Sequence, residues 1–276
     1  MVHVNEFSYG LLTPGIAFVM SCLGSFLGLR CASRARASSG INRTGWLLLA
    51  ALSIGATAIW VMHNIAMLGL SIQGQTIFYD VPMSLLSGLF AVAVVFAALL
   101  IVGFDLQSFQ RLLLGGAVIG VGVLISMDYL GMAAMRMPDA IHLNVWVVLL
   151  SALIAVTAAT FSLWATLRMR GMRSTVLASL AMAVGINGMH YTVLTSMRFV
   201  PMPGDAAMLS GATVGEFVLP LVLVISLLTL ILTASIALSP TEEEMRSEAI
   251  LSERLARQRD RTNGWAMNGG HSGRHR

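Results

Sequence analysis

Lysine is absent from this 276-residue chain: all 17 basic residues are arginine, and with 13 acids the charged side chains reach only 11%. An ordinary soluble domain carries roughly 25%, so that class is excluded. Cysteine is nearly absent too. Cys22 lies inside the first apolar segment and Cys31 at its end, which implies no disulfide framework and leaves no CxxC-type metal motif. There is no phosphate-binding loop, no nucleophile–base–orienter set and no paired acid and base, so an enzyme is not expected. What is abundant is apolar: 57% hydrophobic residues and a mean hydropathy of +0.80, the composition of an integral membrane protein. Its first apolar segment is too long for a signal-peptide core and has no basic stretch before it, so it reads as a mature span.

A spanning helix needs about 20 mostly apolar residues. Seven segments qualify: Leu11–Leu29, Gly45–Leu70, Val81–Gly103, Leu112–Met135, Val145–Leu167, Thr175–Met197 and Phe217–Leu238. The expected fold is therefore all-α and polytopic, with a membrane domain over 1–238 and a tail over 239–276. Ser239-Pro240-Thr241 followed by three glutamates is a helix start, and the glycine-rich residues from Asn263 onward read as disordered. Arginine sets the orientation. Arg30, Arg34, Arg36 and Arg43 follow the first span, Arg111 precedes the fourth, and Arg168, Arg170 and Arg173 follow the fifth. The opposite loops hold Asp80, Arg136 with Asp139, and Arg198 with Asp205. This bias is a topology signal rather than a nucleic-acid footprint. It predicts an inner-membrane protein with its N-terminus outside and its tail in the cytoplasm.

At the outer ends of spans two, four and six the chain repeats itself: Met62-His63-Asn64-Ile65-Ala66-Met67, Met127-Asp128-Tyr129-Leu130-Gly131-Met132 and Met189-His190-Tyr191-Thr192-Val193-Leu194. The first two starts lie 127−62 = 65 residues apart and the second two 189−127 = 62. Met135 and Met197 match at the shorter offset, and Gly55 and Gly120 at the longer. Three helix hairpins plus a closing seventh helix account for the pattern.

Imidazole and thioether together suit a soft metal such as Cu(I). On α-helices, positions i, i+3, i+4 and i+7 share a face. That stacks His63 over Met67, lines up Asp128, Met132 and Met135, and sets His190 in line with Met197. Met62, Met127 and Met189 lie one 100° step away. Plainer readings compete. Methionine at helical spacing is ordinarily core filler, and Tyr79 reads as an interfacial belt residue. His142 reads as a solvated loop residue, and His3, His271 and His275 receive no role. Tyr129 and Tyr191 fit either a hydrogen bond to an imidazole or the headgroup level. Asp128 is harder to dismiss, because a charge inside a bilayer costs several kcal/mol. Arg136 stands two helical turns beyond it, too far to pair. Two intramembrane histidines at matching depth, His63 and His190, are the strongest signal, with an interhelical hydrogen bond as the competing reading.

Met189-His190-Tyr191-Thr192 spells MHYT, and Met127 to Met135 follows an extended MHYTGMAAM pattern except at two places. Over residues 10–238 the chain resembles the bacterial MHYT-domain family of membrane sensors. The resemblance implies seven spans and copper held by motif residues at the outer ends of three of them, as the route to sensing oxygen, carbon monoxide or nitric oxide. Asp128 stands where a histidine is expected, Asn64 where an aromatic is, and Val193-Leu194 where Gly-Met is, which puts one metal site in doubt. Relatives carry cytoplasmic output domains, so this chain reads as a stand-alone version that signals through an unknown cytoplasmic partner. Two alternatives stay open: a haem electron-transfer protein with His63 and His190 as axial ligands, and a copper-handling transporter.

Overall fold

Inside a bilayer no water reaches the backbone, so an apolar segment must satisfy its own N–H and C=O groups, and a helix does so. The computed structural model describes residues 4–5, 8–72, 77–103, 108–137, 139–168, 171–201, 211–237 and 250–251. Among them are seven helices long and apolar enough to cross a membrane: Leu12–Ala37, Gly40–Leu68, Val81–Gly103, Phe109–Gly131, Val145–Ala165, Met172–Leu194 and Gly215–Leu232, here spans one to seven. Each of the first five packs on the next, and span six packs back on span one, which closes a six-helix ring. Span seven ties to span two through the Thr57 and Thr229 hydroxyls, 2.8 Å apart. The chain divides after Thr233 into two compact units, and of the second only 234–237 and 250–251 are described. The expected tail therefore lies outside the described residues apart from Ile250 and Leu251.

Among the described residues six short strands, for which the sequence held no signal, clasp the hairpins. The segment before each odd span pairs antiparallel with the segment after the following even span: β1 (Val4–Asn5) with β2 (Ser71–Ile72), β3 (Phe78–Tyr79) with β4 (Met135–Arg136), and β5 (Asp139–Leu143) with β6 (Met197–Pro201). The repeat is thus strand–span–span–strand, three times over. These pairings shorten two expected spans. Met135 and Met197 are strand residues opposite Tyr79 and Leu143, rather than the last turns of spans four and six. The helical stripes therefore do not extend to them, because from Met135 and Met197 onward the backbone pairs with a neighbouring strand.

At the other end the described arginines are helical rather than in loops. Arg34 and Arg36 sit in the last turn of span one, where cations complement the helix dipole. The Arg34 guanidinium lies 5.0 Å over the Trp46 ring, and Arg43 donates to the Gly103 carbonyl.

Glycine sets the approach of neighbouring spans. A β-carbon on Gly55 would lie 2.7 Å from the Val92 Cα of span three, and one on Gly120 would lie 2.7 Å from the Val156 Cα of span five. The two glycines matched by the repeat thus make equivalent contacts. Overpacking of this kind costs about 1–3 kcal/mol. Gly55→Ala is expected to lower the thermal midpoint in detergent, whereas Gly15→Ala, which meets nothing within 4 Å, is expected to leave it unchanged or raise it. Equal midpoints for the two variants would refute the close-approach role.

The β3–β4 clasp carries an ion pair, Arg136 to Asp80 at 2.5 Å. The backbone N–H of Met83, then the Arg136 side chain, hold the Asp80 carboxyl below its ordinary 3.8. A depressed folded-state value stabilises the clasp above the unfolded one and loses that contribution as pH falls through the folded one. Protection of the Asp80 amide, which bonds to the Ala134 carbonyl at 2.8 Å, is expected to fall as pH drops below 3.8. In Asp80→Asn the protection is expected to be weaker at neutral pH and flat over that window. Superimposable profiles from hydrogen exchange would contradict this.

Candidate metal centre

The ring brings the motif ends of spans two, four and six together. His63 of span two and His190 of span six are 3% and 0% exposed. Their rings meet edge to face, with centroids 4.8 Å apart and planes at 79°. The two Nδ1 atoms are 3.3 Å apart. In neutral imidazole one nitrogen donates and the other accepts, so this contact places a single proton between the two Nδ1 atoms. Span four supplies no ring here. Its Gly131 faces the His63 Nε2, which would lie 2.9 Å from a β-carbon at that position. Tyr191 stands edge-on to His190 at 5.4 Å between centroids.

The lead methionines of the three motifs, Met62, Met127 and Met189, are all fully buried, one step from the histidine position. Met132 is buried as well. Met67 and Met135 belong to an apolar cluster with Leu70, Tyr79, Leu194 and Val218, against which Met197 and Phe217 pack. This plug caps the motif end. Tyr79 is in its middle, 4% exposed, instead of in an interfacial belt. The β3–β4 pairing draws it inward, and burial pushes its hydroxyl up to about 12. Asp128 lies on span four, but its side chain falls outside what the structure describes. Arg136 pairs with Asp80. His142 is on β5, exposed and opposite Arg198; His3, His271, His275, Arg170 and Asp205 lie outside the described residues.

Local backbone explains why equivalent residues diverge. Span two is π-helical over Leu52–Val61, immediately before its motif, and span four over Leu124–Gly131, through its motif. Span six remains α-helical over Met172–Leu194. An i→i+5 ladder changes the angular step between side chains, so a 100° reading does not carry across the three motifs. Tyr129 is consequently 72% exposed while Tyr191 is partly buried, and Asn64 is buried, its amide donating to the Trp60 carbonyl at 2.8 Å. Gly131, which stands against the His63 ring nitrogen, was not among the expected site residues. Its only sequence signal was its place between motif methionines.

Comparison with known proteins follows the same segments. A family model described as a bacterial signalling protein N-terminal repeat, MHYT, matches residues 57–115 and again 120–179. Each match opens just ahead of a motif on an even span and runs through the next odd span. The chain belongs to the MHYT family. Among curated relatives, the bifunctional diguanylate cyclase/cyclic di-GMP phosphodiesterase MucR of Pseudomonas aeruginosa is 32% identical over 91% of this chain and 36% of its own length. The cyclic di-GMP phosphodiesterase NbdA of the same organism is 32% identical over 69% of this chain and 24% of its own. An uncharacterized signaling protein of Caulobacter vibrioides is 30% identical over 67% and 22%. The chain therefore spans little more than a third, or less, of these relatives. No solved structure matches it. As an MHYT chain with seven spanning helices, it is a bacterial multi-pass membrane protein of a signalling family.

Gly131→Ala is expected to displace the His63 ring and disturb the shared-proton contact with His190. Gly188→Ala, on span six and with nothing within 4 Å, is expected not to. The ring-nitrogen NMR signals of selectively labelled histidine would show it; unchanged signals in Gly131→Ala would remove span four from the centre.

Proposed function

We propose that this chain is the sensory, non-catalytic part of a bacterial signalling system, holding one thiophilic ion, Cu(I) in preference, between His63 and His190. The observation that carries the reading is the 3.3 Å between the two Nδ1 atoms. An imidazole–metal bond is about 2.0–2.1 Å, the zinc value. Two bonds of that length could reach a single ion from nitrogens 3.3 Å apart. Among the described residues no three His, Cys, Asp or Glu side chains converge, so the remaining ligands come from thioethers or from Asp128. Met62, Met127 and Met189 are the nearest in sequence and equally buried. Soft sulfur with imidazole favours Cu(I) over hard cations. Bound there, copper(I) would supply a centre able to take up oxygen, carbon monoxide or nitric oxide.

The alternatives fit less well. A porphyrin must pass between its two axial ligands, and rings in edge contact at 4.8 Å leave no gap for it. A transporter would place thioethers at several depths, whereas the motif methionines gather at one end. The arginine bias puts the motif end outside the cytoplasmic membrane and the opposite end in the cytoplasm. MucR and NbdA are cyclic di-GMP enzymes by name; in this reading the ring delivers its state to a cytoplasmic output of that kind, on a partner or on further chain.

Purified in detergent under reducing conditions and loaded with Cu(I), the protein is expected to retain stoichiometric copper by mass spectrometry. A His63→Ala/His190→Ala double variant is expected to lose it. Retention should weaken on acidification, because a ligating imidazole must be unprotonated at the nitrogen that binds the ion. Copper at background level in wild type would sink the metal reading, and iron with a Soret band would transfer the site to haem.

A further inference from the structure

The end of the ring away from the motifs carries positive charge that the described residues do not answer. Every acid among them, Asp80, Asp128, Asp139 and Glu216, lies at the motif end, and their one ion pair joins Arg136 to Asp80 there. Arg34 and Arg43 are engaged, on the Trp46 ring and the Gly103 carbonyl. Arg111, Arg168 and Arg173 are different. They are exposed, in the first turn of span four, at the end of the span-five helix and in the first turn of span six, and no described carboxylate pairs with them.

The three stand on neighbouring helices at one level. Span four packs on span five, with Gly116 against Thr160, and span five packs on span six, with Gly185 against Ala158. Counted from those contacts at about 1.5 Å per residue, the three Cα atoms fall within about 8 Å of one another along the bundle axis. Long arginine side chains can bring their heads together across such a spread. Towards the bilayer centre each arginine continues into an exposed apolar stripe. Phe161 and Trp164 share the helical face of Arg168, their rings 5.7 Å apart. Leu114 lies one turn from Arg111, and Leu177 and Leu180 follow Arg173 on its face, all three exposed.

Charge at the headgroup level above apolar stripes in the hydrocarbon selects an occupant that has both parts. A soluble anion or an acidic protein meets the arginines only, whereas a phospholipid meets arginines and stripes together. Guanidinium pairs its N–H groups with phosphate oxygens. Three such groups across two interhelical grooves exceed what one phosphate neutralises, and basic surfaces of this kind suit diphosphate headgroups. We propose that the arginine end of spans four, five and six is a binding site for an anionic phospholipid carrying two phosphates, with its acyl chains in the grooves on either side of span five. The site is independent of the histidine pair and of any metal.

The test is native mass spectrometry of the full chain in detergent, titrated with cardiolipin, phosphatidylglycerol or phosphatidylcholine. Cardiolipin is expected to be retained at one molecule per chain, severalfold more tightly than phosphatidylglycerol, with phosphatidylcholine weakest. Arg168→Gln is expected to weaken cardiolipin about fivefold, the contribution of one basic residue at an anionic lipid surface. Arg111→Gln/Arg168→Gln/Arg173→Gln should erase the preference. Arg198→Gln, which removes the same charge from exposed β6 at the motif end, should leave it intact, as should His63→Ala/His190→Ala. Inorganic pyrophosphate should not displace the lipid. Equal retention of the three lipids by wild type would overturn the proposal whether or not the variants fold, and displacement by pyrophosphate would reassign the arginines to a soluble anion. A cardiolipin preference that survives in the folded triple variant would also overturn it.

Discussion

How closely helices approach decides everything at the motif end. Two imidazole nitrogens on spans two and six meet at 3.3 Å only because the ring that carries them is drawn tight. Without water inside the bilayer there is no hydrophobic drive between helices, so close backbone contact has to hold them. A β-carbon on Gly24 of span one would sit 2.5 Å from the Ala58 backbone nitrogen of span two. Gly55 and Gly120 do the same for the next interfaces, on Val92 and Val156. Three strand pairs then clasp the motif ends of the hairpins, and an apolar plug around Tyr79 and Met135 closes over them. The histidine contact is the product of these constraints, because each ring is carried by its helix.

Much of this was legible in the residues, because the signals were ones that a bilayer imposes. Apolar length marked seven spans, and methionine followed by a polar residue, histidine or aspartate, every 62 to 65 residues marked the repeat. Gly55 and Gly120 entered only as matching letters, yet they turned out to be equivalent packing contacts. What could not be read was geometry that depends on neighbours. Met135 and Met197 looked like helix ends because apolar character continues through them; a strand partner takes their backbone bonds instead. Tyr79 looked interfacial because nothing local shows that β3 and β4 will turn it inward. The phase of Tyr129 depended on a π-helical stretch that composition does not announce.

The same repeat explains why the three motifs are not three equal sites. Threefold repetition places a lead methionine and a following polar residue at equivalent depth on each even span. Only two of those polar residues are imidazoles, and the rings touch each other. On span four the chain gives Asp128 in place of a ring and sets Gly131 against His63, so this helix contributes close approach where the other two contribute nitrogen. A two-ring, one-gap arrangement is asymmetric within a symmetric scaffold. The proposed centre is accordingly one shared site rather than three independent ones.

Such a scaffold also limits how a signal can leave. The ring is closed by span six packing on span one, and span one ends in the arginine-rich turn with Arg34 stacked on Trp46 of span two. A change in the separation of His63 and His190 is a change in how spans two and six stand relative to one another. Span one packs on both, so it cannot keep both interfaces unchanged. With Gly24 and Gly28 pressed against span two, the softer adjustment is on the side of span six. Packed interfaces respond by moving between discrete arrangements rather than by bending. On the proposed reading, the ring would convert a sub-ångström event at the buried pair of rings into a displacement of span one against span six, at the end where the arginines gather.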